Sequence, residues 1–145
     1  MLHRILNAFS APEPEPLPEP DEKLALGALM VRVAKSDHNY QFEEISRIDR
    51  LLSRLFGLNP VEAAKTRATC EKLEHEAPET EHFARVIRET TSFQARLDAL
   101  EAMWEVLLAD GESHDEEAAV IEAARIAMGL SKSDSDTARE TAEGL

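Results

Sequence analysis

Cysteine is almost absent from this chain. Cys70 is the only one in 145 residues, so no intrachain disulfide can form and no set of thiols is available to hold a structural zinc ion. It stands between Thr69 and Glu71, without an aligned basic group that would lower its pKa. We therefore expect a reduced thiol with a structural role.

Aromatic residues are also few, at 5%, although 43% of the residues are hydrophobic. Aromatic and β-branched residues favour strands, whereas Leu, Ala, Glu and Arg, which prevail here, favour helices. The length suffices for one domain with a real core and leaves little room for two. The composition therefore predicts a single all-α domain with an aliphatic core.

Basic residues are in deficit, with 16 against 29 acids and a formal net charge of -13. This charge repels polyanions, so nucleic acid is not an expected partner. It is compatible with bound cations, with a basic protein partner, or simply with solubility. The apolar run at the start is too short for a secretory signal and no later stretch approaches membrane-spanning length, so we expect a cytoplasmic protein.

The first 20 residues differ from the rest. Leu2, Ile5, Leu6 and Phe9 recur at helical spacing, but residues 11–20 alternate proline with acid or apolar residues, which favours an extended tether over helix or sheet. We divide the chain into residues 1–20, an amphipathic start with a linker, and residues 21–145, the helical domain. Peripheral membrane association through residues 2–9 is disfavoured because the adjoining acids oppose anionic lipid.

From Asp21 onward the apolar spacing predicts consecutive helices. Asn59-Pro60-Val61-Glu62 supplies an N-cap, a proline at the first helical position and a capping-box Glu, and Ser92 is a second N-cap. The predicted helices cover about 24–35, 45–56, 60–77, a segment from 78, 92–109, 115–128, and a short final segment from 131 or 133. The last one has few large apolar residues and is expected to fray.

The sequence repeats itself at an offset of 73 positions. Four core-face apolar residues and three loop acids coincide, and unrelated amphipathic helices would not share the loop acids. The repeat predicts two pseudo-equivalent helical hairpins over residues 24–58 and 97–130, with residues 60–92 between them. The matching pairs are Leu24 and Leu97, Met30 and Met103, Val33 and Val106, Asp37 and Asp110, Glu43 and Glu116, Glu44 and Glu117, and Ile48 and Ile121.

Acids crowd both hairpin loops. The second loop offers Asp110, Glu112, Glu116 and Glu117 beside Gly111, and a hard cation, calcium or magnesium, would relieve their repulsion by binding several carboxylate oxygens. Glu117 is the eighth residue counted from Asp110, too early for the bidentate Glu that ends an EF-hand loop.

We predict a weaker twin site at Asp37, Glu43 and Glu44, because the first loop has His38 and Asn39 where the second has Gly111 and Glu112. Helix capping by first-turn acids is the competing interpretation of both loops. His38 and His114 lack the second His or Cys that a zinc site needs, so we expect them at the surface.

The second loop, with Asp110-Gly111 followed by Glu116-Glu117 between an apolar and an Ala-rich helix, resembles the acidic turn of the TerB-like (tellurite resistance) family. The resemblance covers residues 21 to about 131. It implies an all-helical fold of about seven helices, bacterial stress contexts, possible divalent-cation binding through the loop acids, and no established reaction. The first loop departs from the pattern at His38 and Asn39.

Two functions follow as hypotheses. The first is a noncatalytic module of a bacterial stress system that binds divalent cations or a basic protein through its two acidic loops. The second is a regulatory, scaffold or co-chaperone-like interaction domain whose acids serve only as helix caps. No nucleophile elbow, phosphate-binding glycine loop or zinc-protease helix is present in the sequence, so we predict no catalytic residues and no organic cofactor.

Overall fold

The computed structural model describes residues 16–77, 79–110 and 115–144. Within these ranges the chain forms seven helices and no strand, which confirms the all-α prediction. The predictions for residues 2–9, Pro78 and the segment 111–114, including Glu112 and His114, lie outside the described residues. The helices are α1 (Glu22–Lys35), α2 (Phe42–Phe56), α3 (Pro60–Glu76), α4 (Thr80–Thr90), α5 (Phe93–Leu108), α6 (Asp115–Ala127) and α7 (Lys132–Glu143).

Side-chain caps set where several of these helices begin. Asp21 accepts a hydrogen bond from the backbone N–H of Leu24 at 2.9 Å. Asn59 and Glu62 form the predicted capping box, with Pro60 in the first turn of α3. The hydroxyl of Ser92 accepts from the N–H of Ala95 at 3.1 Å, as predicted for α5. Each cap satisfies an amide that would otherwise lack an intrahelical partner.

Helix α1 lies at the centre of the domain. It packs against α2, α3, α4, α5 and α6, and most of its circumference is apolar and buried, as a central helix requires. The pairs α1–α2 and α5–α6 are the two predicted hairpins, and α3 and α4 come between them in the chain. The apolar stripes of the two hairpins are buried in the core, which includes Leu29, Met30, Val33, Ile48, Leu52, Met103, Trp104, Leu107 and Ile121.

Helix α7 is better packed than its sequence indicates. We expected it to fray, yet it lies along α5 and buries Ser135, Ala138 and Ala142. A capping box of Ser131 and Asp134 opens it. Small residues let the two helix backbones approach closely, so the packing does not need the large apolar side chains that the prediction relied on.

The end of the proline-rich linker touches the domain. Leu17 and Pro18 line a groove together with Leu73 and Phe83, although Leu17 is still 36% exposed. Because this contact is shallow, we expect deletion of residues 1–20 to leave the melting curve unchanged. A loss of stability above ~1–2 kcal/mol would place the domain boundary earlier in the chain.

Gly27 is required by a close approach between α1 and α3. A Cβ atom at this position would lie 2.2 Å from the Sγ atom of Cys70. That thiol is fully buried and donates to the carbonyl of Leu24 at 3.6 Å, and burial raises its pKa to about 12. The cysteine is thus a packing residue, as expected from the sequence.

We expect Gly27→Ala to lower the free energy of unfolding by ~1–3 kcal/mol, because the added methyl group overfills this contact. Chemical denaturation measures the change. Adding Cys70→Ala to the same chain should recover part of the loss, and no recovery would show that the strain arises elsewhere.

Among the described residues, no helix combines the length and the apolar character needed to cross a bilayer.

Candidate metal centre

Three carboxylates from both hairpins meet in one place. Glu44 comes from the first turn of α2, Glu117 from the first turn of α6, and Asp110 follows the end of α5. One oxygen atom from each lies within 4.8 Å of those of the other two. Residues that are 73 positions apart in the sequence therefore share a single cluster, which we call the carboxylate cluster.

Two of the three acids in this cluster are removed from water. Glu44 and Glu117 are each 0% exposed, and Asp110 is half-buried. Charged carboxylates are rarely removed from water unless they are paired or bind a metal ion. The cluster therefore requires an explanation beyond solubility.

The first hairpin holds Glu44 through a helix cap. The backbone N–H of Gln41 donates to the Oε1 atom of Glu44 at 3.2 Å, and the N–H of Glu44 donates to the carbonyl of Gln41 at 3.1 Å. This capping box fixes the side chain at the start of α2. The capping interpretation is thus correct for part of what Glu44 does.

Glu117 has a different environment. Both of its carboxylate oxygens are buried, and neither accepts a hydrogen bond from a donor in the described part of the chain. Burial raises its pKa to about 8, with further contributions from the charges of Glu44, Asp37 and Asp110. Glu117 therefore holds a proton more readily than an ordinary glutamate, and a bound cation would take the place of that proton.

The structure separates the acids predicted for the site. Glu43 and Glu116 are exposed on the neighbouring surface, one residue from the buried glutamates. Asp37 is half-buried and close enough to raise the pKa of Glu117. The sequence predicts two separate sites, a stronger one in the second loop and a weaker one in the first. In the folded chain they meet, because the hairpin packing brings Glu44 to Asp110 and Glu117.

The first loop turns at His38, which has a φ of 64°, in the left-handed region. This is the position at which the repeat has Gly111. The carboxylate of Asp37 stabilises the turn by accepting from the N–H of Asn39 at 3.0 Å. A histidine in this conformation is strained relative to glycine.

We expect His38→Gly to leave stability unchanged or raise it by up to ~1 kcal/mol, because relief of strain offsets the larger entropy of unfolded glycine. Thermal melting measures the difference. His38→Ala is the matched control, since it removes the imidazole and keeps the strain. Equal gains in stability in the two variants would show that the effect comes from loss of the imidazole and not from relief of backbone strain.

A third buried acid, Glu105, is not among the residues predicted from the sequence. Glu105 on α5 is 2% exposed, and it accepts from Arg54 at 2.7 Å and from Arg47 at 3.4 Å. The sequence does indicate its burial, because Glu105 lies inside the apolar run of α5, between Trp104 and Val106. Two guanidinium groups compensate its burial, whereas Glu117 has no comparable cation among the described residues.

The chemistry of the carboxylate cluster follows from its composition. It contains carboxylate oxygens alone, with no His or Cys among its three members. Oxygen ligands suit hard cations such as calcium, magnesium or manganese, whereas zinc sites in proteins use nitrogen or sulfur far more often.

Fold and site together define an all-α module in which two repeated helical hairpins bring acidic side chains to one cluster. The family model described as tellurite resistance protein TerB matches residues 23–140. The chain therefore belongs to the TerB family, which in general is a non-enzymatic domain family. Comparison with curated proteins gave no match, and neither did comparison with solved structures.

Proposed function

We propose that this chain is a noncatalytic TerB-family module that binds one divalent cation at Glu44, Asp110 and Glu117. The observation that carries the proposal is Glu117 itself, fully buried with both oxygens lacking a hydrogen-bond donor in the described residues. It faces two further carboxylates within 4.8 Å. A cation at the centre of these oxygens would supply the missing partner.

The physical argument rests on charge. Ionised carboxylates at this separation repel one another strongly in a poorly solvated site. A divalent cation reverses the sign of that interaction. Calcium and magnesium both bind carboxylate oxygens, and three carboxylates leave part of the coordination shell of either cation to other oxygens.

The partner hypothesis rests on different residues. Glu43 in the first turn of α2, and Asp115 and Glu116 in the first turn of α6, are exposed and are available to a basic protein, whereas the buried glutamates are not. The capping hypothesis accounts for the backbone contacts of Asp37 and Glu44. It gives no reason for the burial of Glu117, so cation binding is the better supported function.

Thermal unfolding tests the proposal. Chelator-treated protein is melted alone and with increasing calcium, magnesium or manganese, and specific binding raises the melting temperature as the cation concentration rises. Glu117→Gln should abolish this response. Glu116→Gln is the matched control, because it neutralises the adjacent acid at an exposed position.

Isothermal titration supplies the direct measurement. Asp110→Asn is expected to weaken cation binding more than Asp37→Asn, because Asp110 belongs to the cluster and Asp37 lies outside it. Absence of binding by calcium, magnesium and manganese up to millimolar concentration would reject the cation site and leave the exposed acids as a surface for a basic partner.

We further propose that the module acts in a bacterial stress system of the kind that gives its family its name. The support is family membership over residues 23–140. Loss of the protein should sensitise its host to tellurite, and complementation by Glu116→Gln but not by Glu117→Gln would connect that phenotype to the cluster. Unchanged tellurite tolerance would reject this assignment without affecting the test of cation binding.

A further inference from the structure

Three arginines converge on the end of α6. Arg88 of α4 donates to the carbonyl of Ala127 at 3.4 Å, and Arg96 of α5 donates to that of Met128 at 2.8 Å. Arg125 donates to the carbonyl of Leu130 at 2.8 Å. Carbonyls at a helix C-terminus carry partial negative charge, so guanidinium groups are stabilised there.

Two of these arginines have no acidic partner in the described part of the chain. Arg125 is paired with Glu122, whereas among the described residues Arg88 and Arg96 each donate to one backbone carbonyl, and Arg96 also lies over the ring of Phe93. A guanidinium has five N–H donors, so each keeps donors for a further ligand.

The surroundings keep Arg88 accessible. It is exposed, and its guanidinium lies over Gly129, where a Cβ atom would approach its Cζ atom to 3.0 Å. Gly129 has a φ of 72°, in the left-handed region that ends the helix. The glycine therefore both terminates α6 and leaves space for the guanidinium.

An exposed aromatic ring lies against one of the two guanidiniums, and an exposed aliphatic residue precedes the carbonyl that the other contacts. The ring of Phe93 is 5.4 Å from the Cζ atom of Arg96 and the residue is 50% exposed. Ile126 precedes the Ala127 carbonyl that Arg88 contacts, and it is 61% exposed. Arginine next to accessible aromatic and aliphatic side chains is a composition typical of protein interfaces. We call Arg88, Phe93, Arg96 and Ile126 the arginine patch.

We propose that the arginine patch docks an acidic segment of a partner protein, one that carries an apolar side chain beside its carboxylates. Charge complementarity fixes the sign of the ligand, and Phe93 and Ile126 provide the apolar contact. Nucleic acid fits less well, because its affinity comes from many phosphate contacts and the net charge of -13 opposes an extended polyanion. This inference is independent of cation binding.

Fluorescence anisotropy tests it with one probe, a fluorescein-labelled peptide of four glutamates around a central phenylalanine. At low salt the native protein should bind this peptide, and added salt should weaken the complex. Arg88→Glu should weaken binding ~10-fold or more, the equivalent of at least one lost charge-assisted contact. Phe93→Ser should also weaken it, because it removes the apolar contact.

Arg50→Glu is the matched control, since it makes the same charge change at an exposed arginine on α2. It should bind as the native protein does, within ~2-fold. Circular dichroism melting of each variant establishes that the fold is retained, as expected for the exposed Arg88 with its long 3.4 Å hydrogen bond.

Several results would overturn the proposal. They are the absence of peptide binding up to millimolar concentration, equal weakening by Arg88→Glu and Arg50→Glu, or equal binding of a peptide with lysines in place of glutamates. Arg88-dependent binding of a single-stranded oligonucleotide or of phosphatidylglycerol vesicles, without binding of the peptide, would assign the patch to a different ligand.

Discussion

In chelator-treated protein at pH 8, Glu117→Gln is expected to raise the free energy of unfolding, by on the order of 2–4 kcal/mol. The native side chain is 0% exposed and lies against Glu44 and Asp110. Its ionised form is therefore disfavoured by lost hydration and by like charge. Glutamine has nearly the same shape, carries no charge and can donate a hydrogen bond to a neighbouring carboxylate.

The carboxyl of Glu117 also makes the free energy of unfolding depend on pH, and the sign of this dependence follows from its pKa. The pKa of Glu117 rises from 4.5 to about 8 on folding. The folded state therefore binds a proton that the unfolded state releases, and the resulting stabilisation is fully present below the unfolded pKa. It is lost as the pH rises through about 8. Without cation, the native protein should lose this contribution between mildly acidic and mildly alkaline pH, and Glu117→Gln should not.

Denaturation with urea at several pH values measures both effects. Glu116→Gln is the control, because it removes a charge from the same turn of α6 at an exposed position. Comparable gains in the free energy of unfolding for Glu117→Gln and Glu116→Gln would show that general charge repulsion, and not the burial of Glu117, governs stability. A destabilised Glu117→Gln would contradict the assignment of a repulsive cluster.

Trp104→Ala is expected to lower the free energy of unfolding by ~3–5 kcal/mol, the usual cost of truncating a buried aromatic side chain. Trp104 is 7% exposed in the core between α5 and α7. Its indole N–H donates to the hydroxyl of Ser135 at 3.1 Å, and the guanidinium of Arg139 lies 4.9 Å from its ring. The substitution therefore removes packing, a buried hydrogen bond and the main anchor of α7 together.

Trp104→Phe separates these contributions. It keeps most of the packing and loses the hydrogen bond to Ser135, so a smaller loss of ~1–2 kcal/mol is expected. The chain has one tryptophan, so its intrinsic fluorescence reports this site alone. Efficient quenching by iodide in the folded native protein would place Trp104 on a surface and reject the core assignment.

Local patterns in the sequence determined most of the fold. Helical spacing of apolar residues predicted the helices and the core, because that spacing decides which face of each helix is removed from water. Asn59 and Ser92 predicted helix starts because capping uses neighbouring residues only. Asp110 and Glu117, two acids of the repeat that are predicted as site residues, both belong to the carboxylate cluster, and family membership agrees with the resemblance of the second loop.

Tertiary structure decided how those residues are used. Only the packing of the hairpins could show that Glu44 joins Asp110 and Glu117 in one cluster, while Glu43 and Glu116 stay outside it. Contacts between residues far apart in the sequence depend on how the helices dock. The spacing of residues within one helix does not encode that docking. The same reason applies to Glu105 on α5, whose two arginines come from α2, and to the arginine patch, whose residues come from α4, α5 and α6. The sequence by itself therefore determined helices, caps, core and acid-rich loops, and the docking of the helices determined which charges meet and which face water.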